Sequence, residues 1–418
     1  MTMSANPGDT AWMTMAAALV MLMTPALGFF YGGLVRRKNI AYTIVQCFAI
    51  FAVVTLVWTF WGYSLAFGIS PNAYIGNLNK ALLNNVGVQT MLPTSFNLPG
   101  ITELNYYVFQ LMFAAITPAL IVGAFAERIK FRSLLIFIVL WSTIVYSPVA
   151  RWVWDPNGWI KQLGAIDFAG GTVVHVSAGL SALAAAIVVG PRFKRENIEG
   201  KPSNVPFVIL GAALLWFGWF GFNAGSAGSA SPLAVSAFVV TNLAAAAATV
   251  SYMIVDVFIK GKPTATGIAI GAVCGLVAIT PASGYVTPAA AIIIGLIAGV
   301  LSNLVSTWRV RTHLDDTLDV FACHGVSGIW GSIATGLFAT TAVNIAGKNG
   351  LFYGNPGQLL TQTEAVVVVI AFAFTLSFVL LKIINAFSKL RVTPEEEEQG
   401  LDLSIHGEEA YSPTDTPS

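Results

Sequence analysis

Long apolar runs, cut by short clusters of charge, proline and glycine, organise this chain. A helix needs roughly twenty apolar residues to cross the hydrocarbon of a bilayer. Cutting at the clusters yields eleven such runs, near 10–35, 40–67, 105–127, 133–154, 167–190, 206–227, 234–259, 264–282, 288–308, 320–340 and 362–388. The pattern predicts an all-α polytopic membrane protein with eleven transmembrane helices. The basic residues between runs sort by side. Arg36, Arg37, Lys38, Arg128, Lys130, Arg132, Arg192, Lys194, Arg195, Lys201, Lys260, Lys262, Arg309 and Arg311 fall on one face, and only Lys80, Arg151, Lys161 and Lys348 lie toward the other. By the positive-inside rule the N-terminus is expected outside and, after an odd number of spans, the C-terminus in the cytoplasm. The expected division is a transmembrane domain over 1–390 and a cytoplasmic tail over 391–418.

Two runs carry ionisable residues where a lipid-buried helix would avoid them. The first is Asp167-Phe-Ala-Gly-Gly-Thr-Val-Val-His175-Val-Ser-Ala-Gly179 and the second Asp319-Val-Phe-Ala-Cys-His324-Gly-Val-Ser-Gly328. Each puts an Asp ahead of a His and small residues after it. His175 falls in the fifth span and His324 in the tenth, so an odd number of crossings separates them and their helices run in opposite directions. Spans one to five and six to ten therefore read as an inverted repeat whose two His segments meet near the middle of the membrane, with the eleventh helix outside the repeat. Each histidine is either hydrogen-bonded to a neighbouring helix or half of a facing pair that shares a proton. A metal site is the competing reading, but no third Cys, His or carboxylate has ligand spacing.

Composition narrows the class. Of 418 residues, 56% are hydrophobic and 10% charged, whereas soluble domains are roughly a quarter charged. The net charge of +1 leaves no footprint for nucleic acid. Cys47, Cys274 and Cys323 sit in apolar runs without paired spacing and read as packing residues. Met1 to Asp9 carries no basic residue, which argues against a cleaved signal peptide. Glycines recur within the spans, as expected where backbones approach closely. The stretch Trp216-Phe-Gly-Trp-Phe-Gly-Phe222-Asn-Ala-Gly-Ser226 reads either as a small-cation site built of π faces and a hydroxyl or as an aromatic belt at the membrane surface. No nucleophile with a base and no metal cluster emerges, so no enzyme and no cofactor is expected.

These motifs, together with Gly218-Trp-Phe-Gly-Phe-Asn-Ala-Gly-Ser226 and the tail Gly400-Leu-Asp-Leu-Ser-Ile-His-Gly-Glu-Glu-Ala-Tyr411, resemble the ammonium transporter (Amt/MEP/Rh) family, in its prokaryotic Amt branch, over essentially the whole chain. The resemblance implies that His175 and His324 are twin histidines lining a hydrophobic pore. It makes Phe113 and Phe222 the stacked pair that closes the outer end of that pore. Trp154 and Ser226 become the outer ammonium recruitment site with Phe113 as a further wall, and Asp167 the buried aspartate that supports it. It further implies a homotrimer in membrane lipid, passage of ammonium as ammonia, and a cytoplasmic face, with its tail against the neighbouring subunit, that binds a trimeric PII-type signal protein. One departure stands out: Arg151-Trp-Val-Trp154 has an Arg where the family often has His, and this guanidinium is expected to snorkel to solvent. The alternatives are an ammonium sensor that signals through a partner, or a carrier of another small cation or neutral gas. Residues 412–418 are expected to be disordered.

Overall fold

A computed structural model describes residues 4–98, 100–193, 195 and 202–411. The expectation for Ser412 to Ser418, and the basic Lys194 and Lys201 of the sidedness reading, lie outside the described residues.

Among the described residues, eleven apolar helices form the body. Nine are long: α1 Pro7–Leu34, α2 Arg37–Phe67, α3 Glu103–Phe125, α4 Phe131–Leu163, α5 Gly171–Val189, α6 Val205–Gly225, α7 Pro232–Lys260, α9 Pro288–Val310 and α11 Pro356–Phe387. Between them α8, Ala265–Ile279, is short, because Thr280-Pro281-Ala-Ser-Gly284 turns the chain sooner than the expected end at 282. The tenth, α10, opens as a π turn over Phe321–Val326 and continues as Ser327–Phe338. Within each helix the interior backbone groups pair with one another, which is what hydrocarbon demands.

The inverted repeat is visible in the packing. The first helices of the two halves, α1 and α6, lie along one another. Gly211, Gly218, Gly221 and Gly225 of α6 form a seam in which any Cβ would collide with α1 at Phe30, Met23, Leu19 or Ala16. The fifth helices of the halves, α5 and α10, cross deep in the protein, and both begin as π turns, Gly171–Val176 and Phe321–Val326. At the crossing each helix offers a glycine four residues after its own histidine: Gly179 packs on the His324–Gly325 backbone, and Gly328 on His175 and Val176. The cross-chain pattern of small residues thus determines how near the two histidines approach.

The end of the bundle richest in basic residues is knit by charge. Glu127 accepts from the Arg36 backbone N–H (2.7 Å), the Arg36 guanidinium (3.1 Å), the Asn39 amide (2.9 Å) and Arg192 (3.2 Å). Burial alone would raise its carboxyl, but Arg192 and Arg36 overcome this and hold it below its usual range. Arg128 donates to the carbonyls of Ala124 and Gly190, at the ends of α3 and α5 where the last carbonyls have no partner within the helix, and to those of Ala126 and Asp315 in the adjoining turns. Burial pushes the Arg128 guanidinium down to a pKa of about 10, so it stays charged at neutral pH.

The tail is built, not a loose acidic segment. A capping box between Thr393 and Glu396 starts the helix α12, Pro394–Gln399. Asp402 then accepts from the backbone N–H groups of Ala41 (3.1 Å) and Tyr42 (2.7 Å), so the tail supplies the N-terminal cap that α2's own sequence lacks. Asn39 Oδ1 accepts from the Leu401 N–H at 2.8 Å, and His406 rests between the rings of Tyr42 and Phe131.

Candidate functional site

Four of the expected residues gather at one end of a buried path. Phe113 on α3 and Phe222 on α6 stack at 4.1 Å between ring centroids, 30° from parallel. Trp154, at the end of the main run of α4, meets Phe113 edge to face at 5.7 Å, and its Nε1 donates to the Asp167 carbonyl at 3.0 Å. Ser226 follows α6 directly and donates its hydroxyl proton to the Phe222 carbonyl at 2.8 Å. With that proton committed, its oxygen presents lone pairs outward. Phe113, Trp154, Asp167 and Ser226 line an open vestibule of about 360 Å³, together with Phe109, Lys161 and Tyr285.

On the other side of the phenylalanine pair lies a cavity of about 10 Å³, barely room for one water. Its wall is apolar, from Leu27, Ile116, Leu120, Leu215 and Val273 among others, except for the two imidazoles. Phe113 lines the vestibule and Phe222 the cavity, so the stacked pair is the partition. His175 and His324 face one another with Nδ1 atoms 3.3 Å apart and rings 24° from parallel. One Nδ1 must donate and the other accept, so the two Nε2 atoms carry opposite roles, one acceptor and one donor. The His175 Nε2 has no hydrogen-bond partner among the described residues. Trp219 stacks on His175 at 5.4 Å and is anchored by its Nε1 to Thr280 at 2.8 Å, a wall that the sequence reading had not singled out. The aromatic run therefore divides: Trp219 and Phe222 face the path, while Phe217 is exposed on the outside of the bundle.

Asp167 works as a cap. Its carboxylate accepts from the N–H groups of Gly170 (2.7 Å), Gly171 (2.8 Å) and Thr172 (2.8 Å), and from the Thr172 hydroxyl. An anion is favoured there because helical N–H groups and the helix dipole converge on it. The expected counterpart in the second half, Asp319, does not hold this position. Asp316 does: it accepts from the N–H groups of Val320 (3.1 Å) and Phe321 (2.7 Å) at the start of α10. Asp319 instead adopts a positive φ and binds Arg309 (2.6 Å) and Ser306 (2.7 Å). The signal was present in the spacing, since Asp167 and Asp316 each stand eight residues before their histidine.

Burial, aided by repulsion from Asp319, pushes the Asp316 carboxyl up to about 6. A raised acid binds its proton more tightly folded than unfolded, so Asp316 contributes stability at low pH that is lost as pH rises from about 4 to about 6. Asp315 has the opposite sign. Burial would raise it, but Arg128 and Arg192 hold it at about 2, so its stabilisation is present above about 4 and disappears as pH falls toward 2. Thermal unfolding in detergent across this range is expected to show Asp316→Asn selectively removing the decline between pH 4 and 6. An unchanged slope in the variant would refute the assignment.

Arg151 corrects a second expectation. It does not reach solvent: it is fully buried, pairs with Asp155 at 2.8 Å, and donates to the carbonyls of Gly68 (2.9 Å), Ser70 (2.8 Å) and Asn72 (3.1 Å). It shapes the loop after α2 and leaves the vestibule alone. Arg151→Leu is expected to cost about 3–5 kcal/mol, because the buried Asp155 and three carbonyls lose their partner. Proteolysis of the 68–80 loop, together with a lowered unfolding midpoint, would report it.

A model of the Ammonium Transporter Family matches residues 11–411. An ammonium transporter of Bacillus subtilis is 48% identical, covering 97% of this chain and 98% of that protein. The crystal structure of Saccharomyces cerevisiae Mep2 superposes with a TM-score of 0.87 at 36% identity, over 94% of this chain and 89% of the other. A structure described as a sensor Amt protein gives 0.87 at 31% identity, over 95% and 98%.

Proposed function

Because this chain belongs to the Ammonium Transporter Family, we propose that it conducts ammonium across a cell membrane by binding it as a cation and passing it as ammonia. The observation that carries this reading is the stacked Phe113–Phe222 partition between a polar-mouthed vestibule and a narrow, apolar-walled cavity with two imidazoles. Ammonium arrives from outside at the faces of Trp154 and Phe113 and the lone pairs of Ser226. Potassium matches its charge but offers no hydrogen-bond donor to Ser226, so the hydroxyl favours ammonium. A bare cation in the apolar cavity would be costly. Loss of a proton near the phenylalanine pair leaves neutral ammonia, which His175 and His324 conduct by accepting and donating in turn. The proton returns outside or moves separately along the imidazole pair.

The reading extends to assembly and control. The N-terminus is outside and the C-terminus cytoplasmic, three copies form a homotrimer with a pore in each, and the tail over 391–418 is the regulatory segment that a PII-type signal protein influences. The second reading, a sensor that transports little, is favoured by the likeness to the sensor Amt protein.

Proteoliposomes given an ammonium pulse separate these. An ammonium current that potassium does not elicit, reduced about tenfold, or about 1.4 kcal/mol in barrier, by His175→Ala or His324→Ala, supports net charge transport through the pair. Internal alkalinisation without current means electroneutral ammonia passage. With neither signal, transport is refuted and the sensor reading stands.

A further inference from the structure

The vestibule that is proposed to gather a cation contains a cation of its own. Lys161 and Asp167 are the charged side chains among the residues that line it. They are not equivalent. The Asp167 carboxylate is buried and engaged by the backbone N–H groups of Gly170, Gly171 and Thr172 and by the Thr172 hydroxyl, so much of its charge is spent on the α5 terminus. Lys161 lies on the single-turn helix Trp159–Leu163 that ends α4, is exposed, and makes no hydrogen bond or close ion pair among the described residues; at longer range Asp167 attracts it and Lys348 repels it. Two other basic residues of this face are neutralised locally, Lys80 by Glu103 and Arg151 by Asp155. Lys348 adds a second positive group close by, its Nζ lying over Gly164, three positions after Lys161.

We propose that Lys161 sets the affinity of the vestibule: its tethered ammonium group opposes entry of a free ammonium ion and raises the concentration at which the pore half-saturates. The inference rests on the transport reading above and adds a determinant to it. A lysine ammonium on a flexible four-carbon stem is a primary ammonium, the same kind of donor as the substrate, so it competes by charge and for the same π faces and lone pairs. Repulsion between unit charges a few residues' width apart falls with the dielectric and is screened over roughly 8–10 Å at physiological salt. It acts on the cation and spares neutral ammonia. A vestibule so equipped recruits by short-range contacts with Trp154, Phe113 and Ser226, with Lys161 and Lys348 offsetting the attraction that remains from Asp167.

The test is the ammonium dependence of transport in proteoliposomes for the unmodified protein, Lys161→Gln and Lys161→Arg, at low and high sodium chloride. Lys161→Gln is expected to lower the half-saturating ammonium concentration about threefold to tenfold, with the change carried by half-saturation and not by maximal rate. Lys161→Arg, which keeps the charge, should stay close to the unmodified protein. Raising salt should lower half-saturation for the unmodified protein and leave the Gln variant nearly flat. Transport that saturates identically in the unmodified and Gln forms at both salts would overturn this inference and leave the transport reading standing. An unmodified protein that gives no ammonium-driven signal would overturn both.

Discussion

Asp167→Ala is expected to remove transport and to lower the unfolding midpoint in the same protein. The carboxylate is the shared acceptor for the Gly170, Gly171 and Thr172 N–H groups and the Thr172 hydroxyl. Truncation leaves these donors beside the membrane interior, where each unmade bond costs about 1–3 kcal/mol. Water from the vestibule reaches part of the site, so the net loss should be about 2–4 kcal/mol. The functional loss has a separate route. The Gly170 carbonyl receives the His175 N–H at 3.1 Å, and the Asp167 carbonyl holds the Trp154 indole at 3.0 Å. Loosening this turn therefore displaces the indole that faces the ion and the imidazole that faces the pore. Asp167→Asn retains one acceptor oxygen but turns an amide donor toward other donors, so it should fall between. Melting in detergent and ammonium flux in liposomes check both limbs. An alanine variant with unchanged melting and full flux would show that the cap is dispensable.

How much of this was readable beforehand follows from which interactions are local. The apolar runs located eleven helices because their length reflects the bilayer, and matched positions in opposed halves brought His175 and His324 together. Asp316 was missed because Asp315-Asp316-Thr-Leu-Asp319 offers three carboxylates, and proximity to His324 favours the wrong one. The helix start, which selects the capping residue, depends on a π turn that hydrophobicity does not mark. Arg151 was misplaced for a different reason. Its partners are carbonyls about eighty positions earlier, in a loop whose path sequence pattern does not describe. The tail shows the same limit. Nothing in its acidic run Glu395–Glu398 names a partner on its own chain, yet Glu397 accepts from the Phe193 N–H at 2.9 Å and Asp402 caps α2, each bond depending on a remote surface.

Gly179→Ala is expected to separate the two histidines and to abolish conduction with a loss of about 2–4 kcal/mol, the sum of overpacking and a broken hydrogen bond. A methyl at Gly179 would meet the Gly325 N and Cα and approach the His324 carbonyl carbon at 3.0 Å. These are backbone atoms, which cannot rotate away as a side chain does, so the helices must part. The imidazoles start at 3.3 Å between Nδ1 atoms, and a few tenths of an ångström more takes them beyond hydrogen-bonding range. The crossing is reciprocal, since a Cβ at Gly328 would come within 2.9 Å of the His175 Cβ. Gly328→Ala should therefore reproduce the defect. The pair should then be strongly less than additive: once either methyl has moved α5 from α10, the second enters space already opened. Gly32→Ala is a milder comparison, because its Cβ would press on the flexible Ile44 side chain at 3.1 Å. Unfolding midpoints of the two single variants and the double, read beside flux, decide the matter. Fully additive losses would mean that the glycines serve separate contacts and that the histidine spacing has another cause.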